Sequence, residues 1–453
     1  MNIAIVGGGI SGLSLAYALK QKRDDLDIKV FEADSRPGGK IFTEKFDGYI
    51  CEAGVNGFLD NKPATLDLAA RIKLPPLRSD DNSRRRFIFT GGELRQLPES
   101  PAKFMLSNFL SLPGRLRMLA EYFVPAADKD DETMEAFARR RVGREFFEKL
   151  LDPMASGVYA GDPAKMSIRS CFTKVYELER KYGGLLKGFA AIGREAKRSG
   201  RKVEAGPGGT LMSFPGGMYS LIERLKELLG NSVITAKKAA GLEKAGGRYT
   251  LHFVDGLKYE AECVVLASPA HGSAGILRDF DGSIRDILMT IPYPALSVVS
   301  FGLKKEKISC DLNMFGFLIP GSEKRRILGT LIDSSIFADR APEGYVLMRS
   351  MVGGARAESL AMLEDDKLIS TVRDELADII GLRAEPEFQR IFRWERAIPQ
   401  YELGHYRKLE ELDAASARHK GFHLTGNAYR GVAVNDCIAN SLLLAEKIIS
   451  VRS

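Results

Sequence analysis

The chain has 453 residues, 45% hydrophobic and 28% charged, which supports two or three lobes with buried cores and excludes a disordered or fibrous protein. Its net charge of +7 arises from 66 Lys and Arg interleaved with 59 Asp and Glu, so nucleic acid is not an expected partner, whereas an anionic small molecule or anionic lipid suits the basic excess. Five scattered cysteines without a CxxC read as thiols of a reducing, cytoplasmic compartment; no metal-ligand cluster and no apolar run of about 18 residues, the length of a membrane span, is visible.

The first predicted elements are a strand over residues 2–6, a glycine turn made of Gly7, Gly8, Gly9, Ile10, Ser11 and Gly12, and a helix carrying Leu13, Ala16, Tyr17 and Leu19 at helical spacing. Gly7, Gly9 and Gly12 permit a tight turn, a close backbone approach to a pyrophosphate, and helix packing on the strand; the helix N-terminus adds free N–H groups. Twenty residues past Gly12, Glu32 closes a second strand over 28–31. A carboxylate there accepts from the ribose hydroxyls of ADP and repels a 2′-phosphate. A second basic, glycine-rich segment follows, Arg36, Gly38, Gly39 and Lys40, and then Gly54, Val55, Asn56 and Gly57 after a hairpin-like stretch. An NAD domain has no use for it, whereas the longer FAD molecule runs past its pyrophosphate and needs backbone approach further on.

Residues 77–205 change character, becoming charged, aromatic and helix-forming. Their apolar stretch 104–124, interrupted by Pro113-Gly114 and carrying Arg115 and Arg117, reads either as a helical pair packed on the next lobe or as a surface lying in a membrane interface. The basic stretch 187–202, with Gly206, Gly208 and Gly209, reads as a surface passage. A glycine turn feeding an amphipathic helix is expected over 214–229, strands over 232–235, 248–253 and 257–263, and a buried strand ending in a small-residue turn over 264–271. Residues 292–395 carry strand-like runs at 296–303, 315–319 and 346–352 and a helix near 366–380. The tail adds a strand and turn over 421–427 and a helix over 438–449, with Asn435 or Asp436 placed to cap it. The expected fold class is α/β. A Rossmann-like FAD-binding domain is built from 1–76, 206–291 and 396–453, with an inserted helical lobe at 77–205 and a sheet-based substrate domain at 292–395.

Four segments carry a family resemblance: SGVYAGDPAKMSIRSCF at 156–172, MVGGA at 351–355, RWERAIPQYELGHYRKL at 393–409 and GNAYRGVAVNDCI at 426–438. Together they closely resemble FAD-dependent, oxygen-dependent protoporphyrinogen oxidases, within the flavin amine oxidase and phytoene desaturase superfamily, nearly end to end. The resemblance implies non-covalent FAD held by 7–12, Glu32, Arg36, Gly39, Lys40 and 54–57, with Val233 at the adenine and Asn427, Val432, Ala433 and Val434 as a C-terminal flavin turn. It implies that Arg86 pairs with a substrate propionate and that the Gly157 backbone holds pyrrole N–H groups. It also implies six-electron oxidation of protoporphyrinogen IX, or of coproporphyrinogen III, with O2 as acceptor and H2O2 as product, in haem biosynthesis. Peripheral contact with the inner face of the cell membrane, a homodimer and a downstream chelatase partner belong to the same expectation.

On spacing alone Arg84, Arg85 and Arg86 are a solvated charged face. His405 reads as a packing or capping residue, no side chain is expected to be catalytic because the flavin carries the chemistry, and Trp394 reads as core or as a neighbour of the isoalloxazine ring. An FAD amine oxidase and a basic nucleic-acid-binding protein are the rival readings from other classes.

Overall fold

The computed structural model describes residues 1–80, 84–98, 100–199 and 209–450. At its centre is a five-stranded parallel sheet in the order Val233–Ile234, Asp27–Phe31, Asn2–Val6, Cys263–Leu266, Phe422–Leu424. Start, middle and end of the chain all contribute, as expected for a nucleotide domain with insertions. Cys263–Leu266 is buried throughout and Asn2–Val6 from Ile3 onward; burial on both faces is why these strands read as unbroken apolar runs.

Helix Ile10–Lys22 packs on one face with Tyr219–Leu229 and the C-terminal helix Val434–Ser450, sharing a core that includes Ile3, Ile5, Leu13, Leu221, Leu225 and Ile438. Leu221, Ile222, Leu225 and Leu229 form the buried stripe of the middle helix, the period expected for one-sided burial. The opposite face carries the antiparallel sheet Ala239–Ala245, Arg248–Phe253, Lys258–Ala261 and helix Ala270–Ile276.

The second large unit is a seven-stranded sheet ordered Phe388–Trp394, Leu296–Lys304, Tyr345–Gly353, Gly329–Leu331, Gly316–Leu318, Arg86–Thr90, Glu93–Gln96. Helix Asp365–Ile380 covers it through Leu368, Val372 and Leu376 against Val299, Phe301 and Met348. Here the segment expected to be helical from residue 77 is corrected, because Arg86–Thr90 and Glu93–Gln96 form the edge of this sheet. Gly91 and Gly92, at φ 66° and 79°, make the tight turn between them, a two-residue hairpin that requires positive φ at both positions. The charges of Arg86 and Glu93 fall on exposed positions and that of Arg95 on a partly exposed one, and they hide the strand alternation.

Helices then run from Pro101–Leu106 to Leu185–Ser199. Several begin at a Ser or Thr whose hydroxyl accepts an N–H of the first turn, as Ser100, Ser111, Thr133 and Ser167 do, each such cap being worth about 1 kcal/mol. The basic stretch 187–202 continues a helix as far as Ser199; residues 200–208 lie outside the described residues.

Candidate active site

Gly7 leaves the first strand at φ 112°, a conformation that glycine adopts without strain. A Cβ on Gly12 would lie 2.0 Å from the Gly7 carbonyl oxygen, so helix and turn meet with no room for a side chain, whereas a Cβ on Gly9 would meet nothing within 4 Å. Gly9 therefore faces open space at the start of helix Ile10–Lys22, which has no side-chain cap; its first-turn N–H groups form an anion site. Glu32 is buried, and its carboxylate accepts the N–H of Gly8 at 2.7 Å and of Asp34 at 2.9 Å. Beside it, the Glu32 N–H donates to the Ile234 carbonyl at 2.8 Å, which brings Val233 to the same edge.

The two glycine-rich segments touch: the Gly38 N–H donates to the Gly8 carbonyl at 2.8 Å. Arg36 stacks its guanidinium 3.9 Å from the Phe42 ring centre. Lys40 Nζ lies 4.3 Å over Trp394 and donates to the Arg396 carbonyl; burial pushes its ammonium down to about 8, and no carboxylate pairs with it among the described residues. Trp394 Nε1 donates to the Ala53 carbonyl at 2.8 Å, so the single tryptophan sits against the segment leading to Gly54. Arg349, from the seven-stranded sheet, donates to the carbonyls of Glu52 at 3.2 Å and Gly54 at 3.1 Å. Val55 packs against the nucleotide core, a Cβ on Gly57 would lie 2.3 Å from the Met212 carbonyl oxygen, and Asn56 has both amide atoms buried without a partner among the described residues. A buried orphan amide is costly. With the open cradle at Gly9 and the free helix N-terminus, it fits a long dinucleotide running from Glu32 past Lys40 to Asn56.

The C-terminal turn joins this group. Asn427 offers its carbonyl to Tyr401, Val432 is half-buried and Ala433 exposed, and Val434 opens a helix tied to the first one by a 2.9 Å bond from Ser441 Oγ to the Ser11 carbonyl. The capping role expected of Asn435 or Asp436 is not what the structure shows. Asn435 Oδ1 accepts from Thr65 N–H and Oγ1 at 3.1 and 2.6 Å, Nδ2 donates to the Leu59 carbonyl at 2.9 Å, and Asp436 pairs with Lys62.

Arg86 and Gly157 flank one strand. Gly316–Leu318 pairs in parallel with the strand that Arg86 opens, and a Cβ on Gly157 would lie 2.8 Å from Leu318 Cδ2. The Arg86 guanidinium lies 4.8 Å from the Phe315 ring centre. Its neighbour Arg85 is consumed by Asp311 at 2.8 Å, but no carboxylate pairs with Arg86 among the described residues. Water reaches the Arg86 side chain, yet protein crowds it enough that burial, then the charge of Arg84, lowers its pKa. Helix Asp152–Tyr159, which carries Gly157, ends at Ala160 in the left-handed region with φ 49°, and Ala160 accepts the Ala355 N–H at 2.8 Å. Asp152 pairs with Arg356 of the same segment.

His271 lies beside Arg396 and Lys40; its Nδ1 is buried without a partner among the described residues, and burial, then those two charges, pushes it down to about 4. Neither it, Arg349 nor Gln400 and Tyr401 stands out by spacing; the small-residue turn that ends the 264–271 run is the sequence signal nearest His271.

His405 is buried, stacked on Tyr401 at 4.2 Å with Nε2 3.3 Å from the Tyr429 carbonyl oxygen, and burial lowers it from 6.5 to about 4, as it does His423. On His405 and His423 the unfolded chain takes up two protons between those values that the folded protein refuses, and on the less buried, solvent-screened His271 a third, so this stability is present above pH 6.5 and lost as pH falls toward 4, roughly 3 kcal/mol for each of the two more buried histidines. Glu52 opposes them: burial raises it from 4.5 to about 7, so its contribution is greatest below pH 4.5 and lost as pH rises through 7. Urea unfolding is expected to show stability falling by roughly 3 kcal/mol from pH 6.5 to 4.5, and Glu52→Gln to steepen that fall. A flat profile would mean that the two imidazoles are solvated.

The model of the flavin containing amine oxidoreductase family matches residues 10–449. The chain is 30% identical to coproporphyrinogen III oxidase of Bacillus subtilis (strain 168), covering 96% of this chain and 95% of that protein. It is 33% identical to protoporphyrinogen oxidase 1, chloroplastic, of Arabidopsis thaliana, covering 96% and 85%. A crystal structure from Exiguobacterium sp. 255-15 superposes with a TM-score of 0.83 at 26% identity, over 99% of this chain and 98% of that one. The chain is thus an FAD-dependent oxidoreductase that belongs to the flavin-containing amine oxidoreductases and, within them, to the protoporphyrinogen oxidase family.

Proposed function

We propose that this protein oxidises a porphyrinogen to its porphyrin in haem biosynthesis, with protoporphyrinogen IX as substrate, O2 as acceptor and H2O2 as product. The observation that carries this reading is Arg86, a guanidinium without an acid partner among the described residues, stacked on Phe315 beside the strand that Gly157 packs on. A tetrapyrrole macrocycle bearing a carboxylate suits that arrangement. The fork takes the propionate in two charge-assisted hydrogen bonds, while exposed Gly157 lets the macrocycle lie against the helix with its pyrrole N–H groups toward the backbone.

Non-covalently bound FAD would supply the hydride-accepting chemistry at a meso carbon, so no strong protein base is required of this chain. In this reading residues 7–12 hold the pyrophosphate, Glu32 the ribose hydroxyls and Val233 the adenine. Arg36, Gly39, Lys40 and residues 54–57 follow the rest of the molecule to its flavin, which Asn427, Val432, Ala433 and Val434 close from the other side. Coproporphyrinogen III is the second reading, favoured by the near-complete coverage of the Bacillus subtilis relative. Both porphyrinogens, prepared anaerobically and offered separately, decide: the faster substrate under air, followed by porphyrin fluorescence and peroxide, is the natural one. Oxidation of neither overturns the reading.

The same reading puts the helical lobe at a membrane surface. No helix among the described residues is long and apolar enough to cross a bilayer, but Leu106, Leu112, Leu116 and Phe123 are 85%, 62%, 59% and 82% exposed within residues 104–124. Such a cluster, flanked by Arg115 and Arg117, suits interfacial burial on the inner face of the cell membrane. The protein is expected to float with anionic liposomes and to lose most of that binding in Leu116→Glu with Phe123→Glu. Wild-type protein remaining wholly in the aqueous fraction overturns the membrane contact alone. A homodimer, tested by sedimentation, and transfer of the porphyrin to a chelatase complete the reading.

A further inference from the structure

Two adjacent buried side chains link the helix on the substrate side to the C-terminal turn. Gln400, 3% exposed, donates from Nε2 to the carbonyl of Tyr159 at 2.9 Å and of Ile398 at 3.0 Å. Tyr159 is the last residue of the helix that carries Gly157. Tyr401, 1% exposed, donates its hydroxyl to the Asn427 carbonyl at 2.6 Å and accepts the Gly431 N–H at 3.0 Å. A single phenol oxygen thus closes both ends of the 427–431 loop.

The pair is itself immobilised. The Gln400 N–H donates to the Pro292 carbonyl at 2.9 Å, the Tyr401 carbonyl accepts the Ser167 N–H at 2.8 Å, and the Tyr401 ring stacks on His405 with an interplanar angle of 11°. Both side chains come from one irregular stretch lying between strand Phe388–Trp394 and helix His405–Ala417. A shift of either the helix end or the turn therefore breaks a bond to a neighbouring residue of the same short segment.

We propose that Gln400 and Tyr401 are positioning residues, a brace that fixes the substrate-holding helix at a set distance and angle from the flavin-holding turn. The proposal rests on the porphyrinogen reading above for the identity of what the helix holds. Hydride transfer is sensitive to such spacing, since about 1 Å of misplacement costs roughly 100-fold in rate. The brace acts through the Tyr159, Asn427 and Gly431 backbone.

Tyr401→Phe keeps the ring and its stack on His405 but orphans two backbone groups of the turn. Stopped assays on the holoenzyme are expected to show kcat down by about 10- to 100-fold with KM within about threefold of wild type, and FAD released on dilution at least about tenfold faster. Gln400→Met orphans the Tyr159 carbonyl instead; it is expected to raise KM about tenfold with FAD release unchanged. This split is the signature that a merely structural role would not give, because general destabilisation would move FAD release in both variants. FAD release is measured without substrate. If wild type oxidises no porphyrinogen, the functional reading fails, while faster release in Tyr401→Phe still supports the turn half of the brace. Tyr401→Phe with kcat and FAD release within twofold of wild type overturns the proposal. If that variant does not fold by circular dichroism, unchanged KM in Gln400→Met overturns it.

Discussion

Gly9→Leu is expected to purify colourless from cells that yield yellow wild-type protein. Gly9 has φ −73° and ψ 179°, extended backbone that any residue adopts, and a Cβ there would meet no protein atom within 4 Å. The substitution should therefore leave the folded chain intact, with a melting temperature matching that of wild-type protein stripped of FAD. What it fills is the space in front of the first-turn N–H groups, where a pyrophosphate gains both hydrogen bonds and the field of the helix terminus. Steric exclusion together with loss of that approach is expected to weaken FAD binding by at least about a hundredfold. Gly12→Ala is the informative contrast, since its Cβ would lie 2.0 Å from the Gly7 carbonyl oxygen and should damage the fold itself. Acid precipitation of wild-type protein should leave the yellow colour in the supernatant, as non-covalent binding requires. A Gly9→Leu protein that stays yellow at full occupancy would mean that the pyrophosphate lies elsewhere.

How much of this was legible in the sequence follows from how local each signal is. The glycine turn and Glu32 announce themselves because strand, turn and helix are contiguous, and the central strands because burial on both faces leaves unbroken apolar runs. The hairpin at 86–96 is hidden by its edge position: charged side chains occupy the outward positions, and the helical composition further on dominates the window, although the Gly91-Gly92 pair was a usable turn signal. Asn435 looks like a cap because helix starts favour Asn, but Thr65 and Leu59, 370 and 376 residues away in sequence, take its amide. The bonds of Gln400 and Tyr401 span 241 and 26 residues. A periodicity argument cannot see them. The segment drew notice only through its resemblance to a family, and the structure supplies a physical reason for a glutamine and a tyrosine side by side there.

Arg86 separates the charged-face reading from the functional one most sharply. Of the two arginines, Arg85 already has Asp311 and Arg86 has an aromatic ring beneath it and no acid among the described residues. A guanidinium arranged in that way, with its pKa lowered by burial and by Arg84, is on the proposed reading free to take a carboxylate that arrives with a ligand. Two charge-assisted hydrogen bonds to a propionate are worth roughly 2–3 kcal/mol, so Arg86→Ala is expected to lose about 30- to 150-fold in kcat/KM on the preferred porphyrinogen. Arg86→Lys keeps the charge but not the planar fork or the stack on Phe315, and an intermediate loss of about tenfold is expected. Flavin content should be unchanged in both variants, because neither change touches the dinucleotide cradle. If Arg86→Ala oxidises that substrate as fast as wild type with its FAD intact, the propionate role is wrong, and the arginine is part of a solvated face after all.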